Sequence, residues 1–122
     1  MKPTIAVVED NQVFREELCR ILNKKEFSVV IEAEHGADLL AQLEKTDAPD
    51  LCLCDINMPV MDGFETARQL KRKYPHVKLM IFSTDSSTFN QREALRWGAD
   101  DFLPKHSTAD EYLSRLLGLI SS

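Results

Sequence analysis

The feature of this sequence that most restricts its fold is an alternation, five times over, of a short apolar run with a helix-type stripe. The runs are rich in Val, Ile, Leu and Phe, and turn or charged residues end them, which is typical of buried strands. Strict alternation of this kind predicts a parallel sheet with helices on both faces and right-handed connections. The predicted strands cover residues 4–8, 27–33, 50–55, 77–82 and 101–103.

The segments that follow these strands repeat apolar residues every three or four positions, which is the spacing of one helix face. Asn11 is a suitable N-cap for the first helix, and Thr108 with Glu111 has the spacing of a capping box for the fifth. The fourth helix, which Gly98 ends, has the weakest stripe. The other four stripes are Phe14, Leu18, Ile21 and Leu22; Leu39, Leu40 and Leu43 in a helix over 37–45; Phe64, Ala67, Leu70 and Tyr74; and Tyr112, Leu113, Leu116, Leu117 and Ile120.

Length and composition limit the possible classes of protein. A chain of 122 residues suits one α/β domain over residues 1–122, and five strand–helix units are too few for an eight-stranded barrel. Because no apolar run is long enough to span a bilayer and the N-terminus lacks a signal-peptide pattern, we expect a cytoplasmic protein with no membrane contact. The net charge of −5 argues against direct nucleic-acid binding. Cys19, Cys52 and Cys54 lack metal-type spacing and are expected to be reduced.

Side chains capable of polar chemistry follow four of the five predicted strands. Glu9 and Asp10 follow the first, Asp55 ends the third, Ser83 follows the fourth and Lys105 comes after the fifth. These groups should converge, because the carboxyl ends of parallel strands lie at one edge of a sheet. Neighbouring carboxylates repel one another unless a cation is present, and oxygen ligands suit Mg²⁺. The arrangement therefore predicts magnesium-assisted phosphoryl transfer to Asp55, with Lys105 neutralising charge and Ser83 donating to a phosphoryl oxygen.

In their order and spacing, these residues resemble the motif set of the response-regulator receiver domains of two-component signalling. The resemblance extends over the whole length of the chain, and it implies a single doubly wound (βα)5 domain with the flavodoxin-like strand order 2-1-3-4-5. The matching features are Glu9 and Asp10, the segment from Asp55 to Gly63, Ser83, Phe102 and Lys105.

The resemblance also implies a role for each matching residue. Asp55 is expected to be the phosphoacceptor and Lys105 to pair with it once it is phosphorylated. Ser83 is the expected switch hydroxyl and Phe102 the switch aromatic. The expected metal site holds Mg²⁺ through Asp10, Asp55 and the main-chain carbonyl of Asn57, and Glu9 assists through water.

The partners implied by the resemblance are proteins that carry phosphohistidine. We expect a sensor histidine kinase or a phosphotransfer protein as donor, and a domain that assists its own phosphorylation and dephosphorylation rather than an enzyme. Phosphorylation would reshape the face made by the fourth helix, fifth strand and fifth helix, which then binds a partner or forms a homodimer. The segment G-A-D-D-F-L-P-K, which ends at Lys105, is similar to receivers of transcription regulators. We therefore expect the receiver part of such a regulator or a stand-alone receiver.

Four positions depart from the usual receiver pattern. Glu9 stands where Asp is common, Ser83 where Thr is commoner, Thr84 where a small residue is usual, and His106 where Pro usually follows the Lys.

Other functions are weighed against the same residues. Asp55-Ile56-Asn57 is similar to the Asp-x-Asp motif of haloacid dehalogenase phosphohydrolases, but Asn57 cannot act as the general acid that this motif requires. A phosphorylation-independent binding module on the same fold would be expected if the acids or the Lys were missing. A calcium loop is excluded because Val60 stands where Gly is required. Asp85 is interpreted either as the N-cap of the fourth helix or as a residue at the mouth of the site.

Overall fold

In the computed structural model, which describes residues 2–121, five parallel strands form one sheet. The strands are β1 (Thr4–Val8), β2 (Ser28–Ala33), β3 (Leu51–Asp55), β4 (Lys78–Ser83) and β5 (Asp101–Pro104). Neighbouring strands pair in parallel in the order β2-β1-β3-β4-β5. The predicted fold class and strand order are therefore confirmed.

Helices cover both faces of this sheet. They are α1 (Gln12–Lys24), α2 (Gly36–Leu43), α3 (Gly63–Lys73), α4 (Thr88–Arg96) and α5 (Ala109–Ser121). Apolar side chains of α1 and α5 pack on one face, and those of α2, α3 and α4 pack on the other. None of the helices within residues 2–121 has both the length and the apolar character that a membrane crossing requires.

The two faces of the sheet divide each strand between two apolar clusters. In β1, Ile5 and Val7 point towards α1 and α5, while Ala6 and Val8 point towards the other three helices. The strands are apolar at consecutive positions because both faces are covered, as in other parallel sheets. Each large side chain that is fully buried in this way contributes about 1.5–3 kcal/mol. The carboxyl end of every strand then lies at one edge, here called the upper edge.

Cys19, Cys52 and Cys54 belong to these clusters. All three are buried and free, which confirms the expectation of reduced thiols. Burial raises the pKa of both Cys19 and Cys52 to about 12, so these side chains stay protonated and act as small apolar residues.

Several predicted helix ends are confirmed. Asn11 caps α1 by accepting a hydrogen bond from the Phe14 N–H at 3.0 Å. Thr108 and Glu111 form the expected capping box, with the two reciprocal bonds at 3.2 and 3.0 Å. Gly98 follows α4 with φ of 117°, a left-handed conformation that favours glycine.

Two predictions are wrong in part, one about the N-cap of α4 and one about the inner face of α5. The N-cap of α4 is Ser87, which accepts from the Asn90 N–H at 3.2 Å, whereas Asp85 accepts from the Ser87 N–H one step earlier. Ile120 was expected on the inner face of α5 but is 38% exposed, and Leu119 packs against the cluster instead. Positions 119 and 120 both continue the apolar stripe, but Ile120 lies in the last turn of α5, one residue before Ser121 ends the helix, and is only partly covered there.

The remaining differences are element boundaries shifted by one or two residues. Phe27 and Val77 belong to turns, since their N–H groups donate to Leu22 O and Tyr74 O, so β2 and β4 each begin one residue later than predicted. At the upper edge, β4 includes Ser83 because this residue pairs with Pro104 of β5. The start of β3 and the two ends of α2 also differ from the prediction by one or two residues, which is ordinary for the ends of helices and strands.

Candidate functional site

Three carboxylates meet at the upper edge, as predicted. Ligand oxygens of Glu9, Asp10 and Asp55 all lie within 4.8 Å of one another. Glu9 is fully buried and Asp55 is 4% exposed, whereas Asp10 faces solvent. Two neighbouring strands supply them, since β1 pairs with β3 and its last residue, Val8, lies beside Cys54. The cluster is thus a consequence of the strand order rather than of any local motif.

The turn between β1 and α1 holds the buried acid in place. The Glu9 N–H donates to Ala33 O of β2 at 3.0 Å, which extends the sheet contact by one residue. The Glu9 side chain accepts at Oε2 from the Asn11 N–H at 2.9 Å. Its main-chain carbonyl accepts from Arg15 Nη1 at 2.7 Å. Both ends of Glu9 are therefore fixed before any ligand is considered.

The loop after β3 packs closely beneath Asp55. The Ile56 N–H donates to Asp55 Oδ1 at 2.7 Å, and the Gly63 N–H donates to Ile56 O at 2.8 Å. A Cβ atom at position 63 would lie 2.4 Å from the Asp55 carbonyl oxygen, so only glycine fits there. Asp62 caps α3 by accepting from the Glu65 N–H at 2.9 Å. This loop leaves the second oxygen of Asp55 directed at Lys105.

Lys105 provides the positive charge of the site. Its Nζ lies 2.7 Å from Glu9 Oε1 and 3.5 Å from Asp55 Oδ2. The ammonium group also lies 4.6 Å from the centre of the Phe14 ring, a cation–π distance. The Lys105 N–H donates to Ser83 O at 2.8 Å, and the Lys105 carbonyl accepts from the Tyr112 hydroxyl at 2.5 Å. The main chain is therefore fixed on both sides of this residue although His106 follows it.

The electrostatics of the site are those of a crowded anion cluster. Burial raises the pKa of Glu9 to about 7, against the opposing effect of Lys105 and the Asn11 N–H; a side-chain hydrogen bond with Asp10 and the negative charge of Asp55 add to the rise. Burial tends to lower the pKa of Lys105, but Glu9 and Asp55 raise it above its ordinary value. One ammonium group thus faces three carboxylates, and a second cation would relieve the excess negative charge.

The other predicted site residues lie at different distances from this centre. Ser83 is fully buried at the end of β4, and its Oγ accepts from the Asp85 N–H at 3.1 Å. Asn57 is exposed in the loop two residues after Asp55. Phe102 is 7% exposed and belongs to the apolar cluster on the α2, α3 and α4 face, so it lies in the core in this structure.

Sequence reasoning missed three residues that contact the site. Phe14 and Tyr112 appeared only as members of apolar stripes, yet they contact the ammonium and the carbonyl of Lys105. The aromatic rings of both also contact Phe82, which joins α1 and α5 at the floor of the site. Arg15 was not singled out at all. A buried tyrosine hydroxyl needs a hydrogen-bond partner, and this requirement is the one signal in the sequence that could have identified Tyr112.

The comparison with known families agrees with this geometry. The profile of the response regulator receiver domain matches residues 5–117. The chain belongs to the response-regulator receiver family. Among solved structures, the signal receiver domain of the response regulator NarL from Mycobacterium tuberculosis is similar with a TM-score of 0.91 and 32% identity, covering 99% of this chain and 98% of that one.

Two relatives of known description are longer than this receiver domain. The transcriptional regulatory protein DegU of Brevibacillus brevis is 38% identical over 110 residues, which make up 89% of this chain and 46% of the relative. The response regulator MprA of Mycobacterium tuberculosis is 33% identical over 120 residues, or 98% of this chain and 51% of the relative. The chain thus spans about half the length of the relatives that it matches.

Membership of this family defines the general function of the domain. Receiver domains are phosphoacceptor switches of two-component systems, and the family implies a histidine kinase as partner. Glu9, Asp10 and Asp55 form an acidic cluster of the kind that binds a metal ion. The oxygen-only donor set and the excess of negative charge both fit a hard divalent cation.

Proposed function

We propose that Asp55 accepts the phosphoryl group and that Glu9, Asp10, Asp55 and the carbonyl of Asn57 hold a Mg²⁺ ion beside it. The observation that carries this proposal is the cluster of three carboxylates within 4.8 Å. Of the three acids, Asp55 is the one that is itself the last residue of a strand. Its Oδ2 is directed at Lys105. Buried carboxylates beside a single ammonium group retain their charge more easily when a divalent cation shares the site.

The transfer itself is a displacement at phosphorus. A carboxylate oxygen of Asp55 forms the new P–O bond, while the bond between phosphorus and the imidazole nitrogen of the donor's phosphohistidine breaks. The imidazole leaves with the electron pair of that bond. Lys105, 3.5 Å from Asp55 Oδ2, pairs with the incoming phosphoryl oxygens. When bound, Mg²⁺ neutralises charge on the same oxygens.

The same residues support chemistry without a kinase. We infer that a small acyl phosphate also phosphorylates Asp55, because the acids and Lys105 all belong to this chain. Water that enters the same edge then attacks the phosphorus of the aspartyl phosphate; the bond between phosphorus and the Asp55 oxygen breaks, which restores the carboxylate and releases inorganic phosphate. The domain assists both of these steps itself, and the kinase supplies the phosphoryl group and the signal.

Ser83 and Phe102 are the proposed switch residues. The Ser83 hydroxyl accepts from the Asp85 N–H in the connection to α4, so donation to a phosphoryl oxygen would pull on that connection. α4 is weakly anchored, because Ala94 is its one buried residue. Phe102 packs in the same cluster as Ala94 and would repack when α4 shifts.

The proposed output is a change of the α4, β5 and α5 face. We propose that this face binds a partner or a second copy of the domain, in the cytoplasm, and that residues 1–122 are one receiver domain of a transcription regulator or a stand-alone receiver. Phe89 and Leu95 of α4 are 69% and 53% exposed, which supports a protein contact there.

Phosphorylation by acetyl phosphate tests the assignment of Asp55. With Mg²⁺, intact-mass analysis should detect one added phosphoryl group on the wild-type protein. The group should be absent from Asp55→Asn and present in Asp50→Asn, a matched carboxylate at the opposite edge of the sheet. Phosphorylation that persists in Asp55→Asn, or that is lost equally in Asp50→Asn, would contradict the assignment.

A further inference from the structure

A largely buried arginine side chain lies behind the acid cluster and contacts it through the main chain. The Arg15 side chain is 11% exposed, and its Nη1 donates to the Glu9 carbonyl at 2.7 Å. Its Nε lies 3.6 Å from Glu32 Oε1, which is longer than a hydrogen bond, and the Glu32 side chain is 49% exposed. The close contact of this guanidinium is therefore with Glu9 rather than with its ion-pair partner.

The carbonyl that Arg15 contacts belongs to the peptide between the two acids. A peptide group is planar, so the Glu9 carbonyl, the Asp10 N–H and the Asp10 Cα lie close to one plane. A hydrogen bond that fixes the carbonyl therefore also restrains the positions of the Asp10 N–H and Cα, from which the Asp10 side chain extends. The turn has a second attachment, since the Arg15 N–H donates to Asn11 O and Asn11 donates to Glu9 Oε2.

Repulsion within the cluster makes this attachment important. Glu9, Asp10 and Asp55 carry like charges within 4.8 Å, and repulsion favours any rotation that separates them. Asp10 is the exposed member of the three and is free to turn towards solvent. Burying a guanidinium is costly unless its donors are used, and here the carbonyl of the acid turn uses one of them.

We propose that Arg15 is a positioning residue for the metal site: it holds the peptide between Glu9 and Asp10 so that both carboxylates face Asp55. The inference rests on the proposed function of this edge, although Arg15 itself contacts neither metal nor phosphate. Residues that orient metal ligands commonly change metal affinity about 10–100-fold when they are removed.

Mg²⁺ affinity tests the proposal through four substitutions, measured by isothermal titration calorimetry on the unphosphorylated protein. Arg15→Met removes the carbonyl contact and should weaken Mg²⁺ binding about tenfold. Arg15→Lys keeps the charge and a donor, and should recover part of that loss. Glu32→Gln removes only the ion pair, and Arg20→Met removes a charge elsewhere on α1, where Arg20 pairs with Glu17. Both should bind Mg²⁺ as the wild type does.

Amide hydrogen exchange provides a metal-free readout of the same positioning. In Arg15→Met, the Asn11 N–H, which donates to Glu9 Oε2, should exchange faster while amides in the centre of β3 keep their wild-type rates. Arg15→Lys is the substitute if Arg15→Met does not fold. Wild-type Mg²⁺ affinity in Arg15→Met would overturn the proposal, and so would wild-type exchange at Asn11 in that variant or an equal loss of affinity in Glu32→Gln.

The outcomes separate this inference from the function on which it rests. If the wild type binds no Mg²⁺, the proposed metal site fails, and exchange at Asn11 alone decides whether Arg15 holds the turn. If the wild type binds Mg²⁺ and Arg15→Met binds it equally well, the metal site stands and the role of Arg15 is wrong.

Discussion

Acidic residues lie at both edges of this sheet, and they have opposite effects on the stability of the fold. At the opposite edge, which the amino ends of the strands form and which is here called the lower edge, Asp50 accepts from the Thr4 N–H at 2.9 Å. Asp100 accepts there from the Leu79 N–H at 2.8 Å and pairs with Lys71 at 3.0 Å. Each of these acids connects neighbouring strands with partners of its own. At the upper edge, Glu9, Asp10 and Asp55 crowd within 4.8 Å of one another. Carboxylates therefore stabilise the fold at the lower edge, whereas at the upper edge their mutual repulsion lowers its stability.

The difference shows which acids are structural and which are functional. An acid with dedicated donors needs no further ligand, because its charge is already compensated. A cluster that shares one Lys105 is incomplete, and its burial raises the pKa of Glu9 to about 7. Substitutions at the two edges should therefore change stability in opposite directions.

The largest expected effect on stability is a loss at the lower edge. Asp100→Ala leaves the Leu79 N–H and the Lys71 ammonium without their carboxylate and should lower the free energy of unfolding by about 2 kcal/mol. Urea denaturation measures this effect, with Asp47→Ala, an exposed acid in the α2–β3 connection, as the control. If Asp100→Ala were as stable as Asp47→Ala, the structural role of the lower edge would be wrong.

The next prediction is a pH dependence of stability that comes from Glu9 at the upper edge. The pKa of Glu9 is about 7 in the folded protein and 4.5 ordinarily, so between these values the folded state holds a proton that the unfolded state has lost. Raising the pH from about 5 to 7 should therefore lower the stability of the metal-free protein. Glu9→Gln should flatten this slope, and thermal unfolding across the interval measures it. An unchanged slope in Glu9→Gln would assign the dependence to other groups.

A smaller effect of opposite sign is expected from Asp10→Asn. Removing one of three like charges should raise the metal-free stability by about 1 kcal/mol or less, because Asp10 faces solvent. The same change should remove the stabilisation that Mg²⁺ gives the wild type. Thermal unfolding with and without Mg²⁺ tests both statements, and a less stable metal-free Asp10→Asn would speak against repulsion at the upper edge.

An effect of no greater size is expected in the loop after β3. Val60 has φ of 66°, the one positive φ outside glycine among residues 2–121, and it is 80% exposed beside a Met61 N–H to Pro59 O bond of 2.6 Å. A β-branched residue is strained in that region, whereas Asn adopts it readily. Val60→Asn should therefore raise stability by up to about 1 kcal/mol. Val13→Asn, at a position that is 78% exposed in α1, is the control and should not stabilise.

Much of this comparison could be predicted from the residues alone. The alternation of strands and helices brings the carboxyl ends of β1, β3 and β4 to one edge. Glu9, Asp10 and Asp55 lie close together there because β1 and β3 are neighbouring strands. Lys105 also follows from this logic, since it comes directly after β5. Strand-end chemistry is therefore readable from sequence when the fold is a regular parallel sheet.

The parts that sequence did not predict depend on contacts through the main chain or across helices. Arg15 and Tyr112 act on the carbonyls of Glu9 and Lys105, and a carbonyl has no sequence signature. The prediction for Ile120 was wrong because this residue lies in the last turn of α5, where the apolar stripe continues but the side chain is only partly covered. Such errors arise from geometry at the scale of one residue, which periodicity does not resolve.

Calorimetric titration of the unphosphorylated protein with Mg²⁺ determines whether the upper-edge acids form one metal-dependent phosphoacceptor site. We expect binding at a single site that is lost in Asp10→Asn and retained in Asp50→Asn, since the Asp50 carboxylate lies at the lower edge. Binding that survives in Asp10→Asn, or that disappears equally in both variants, would contradict this expectation.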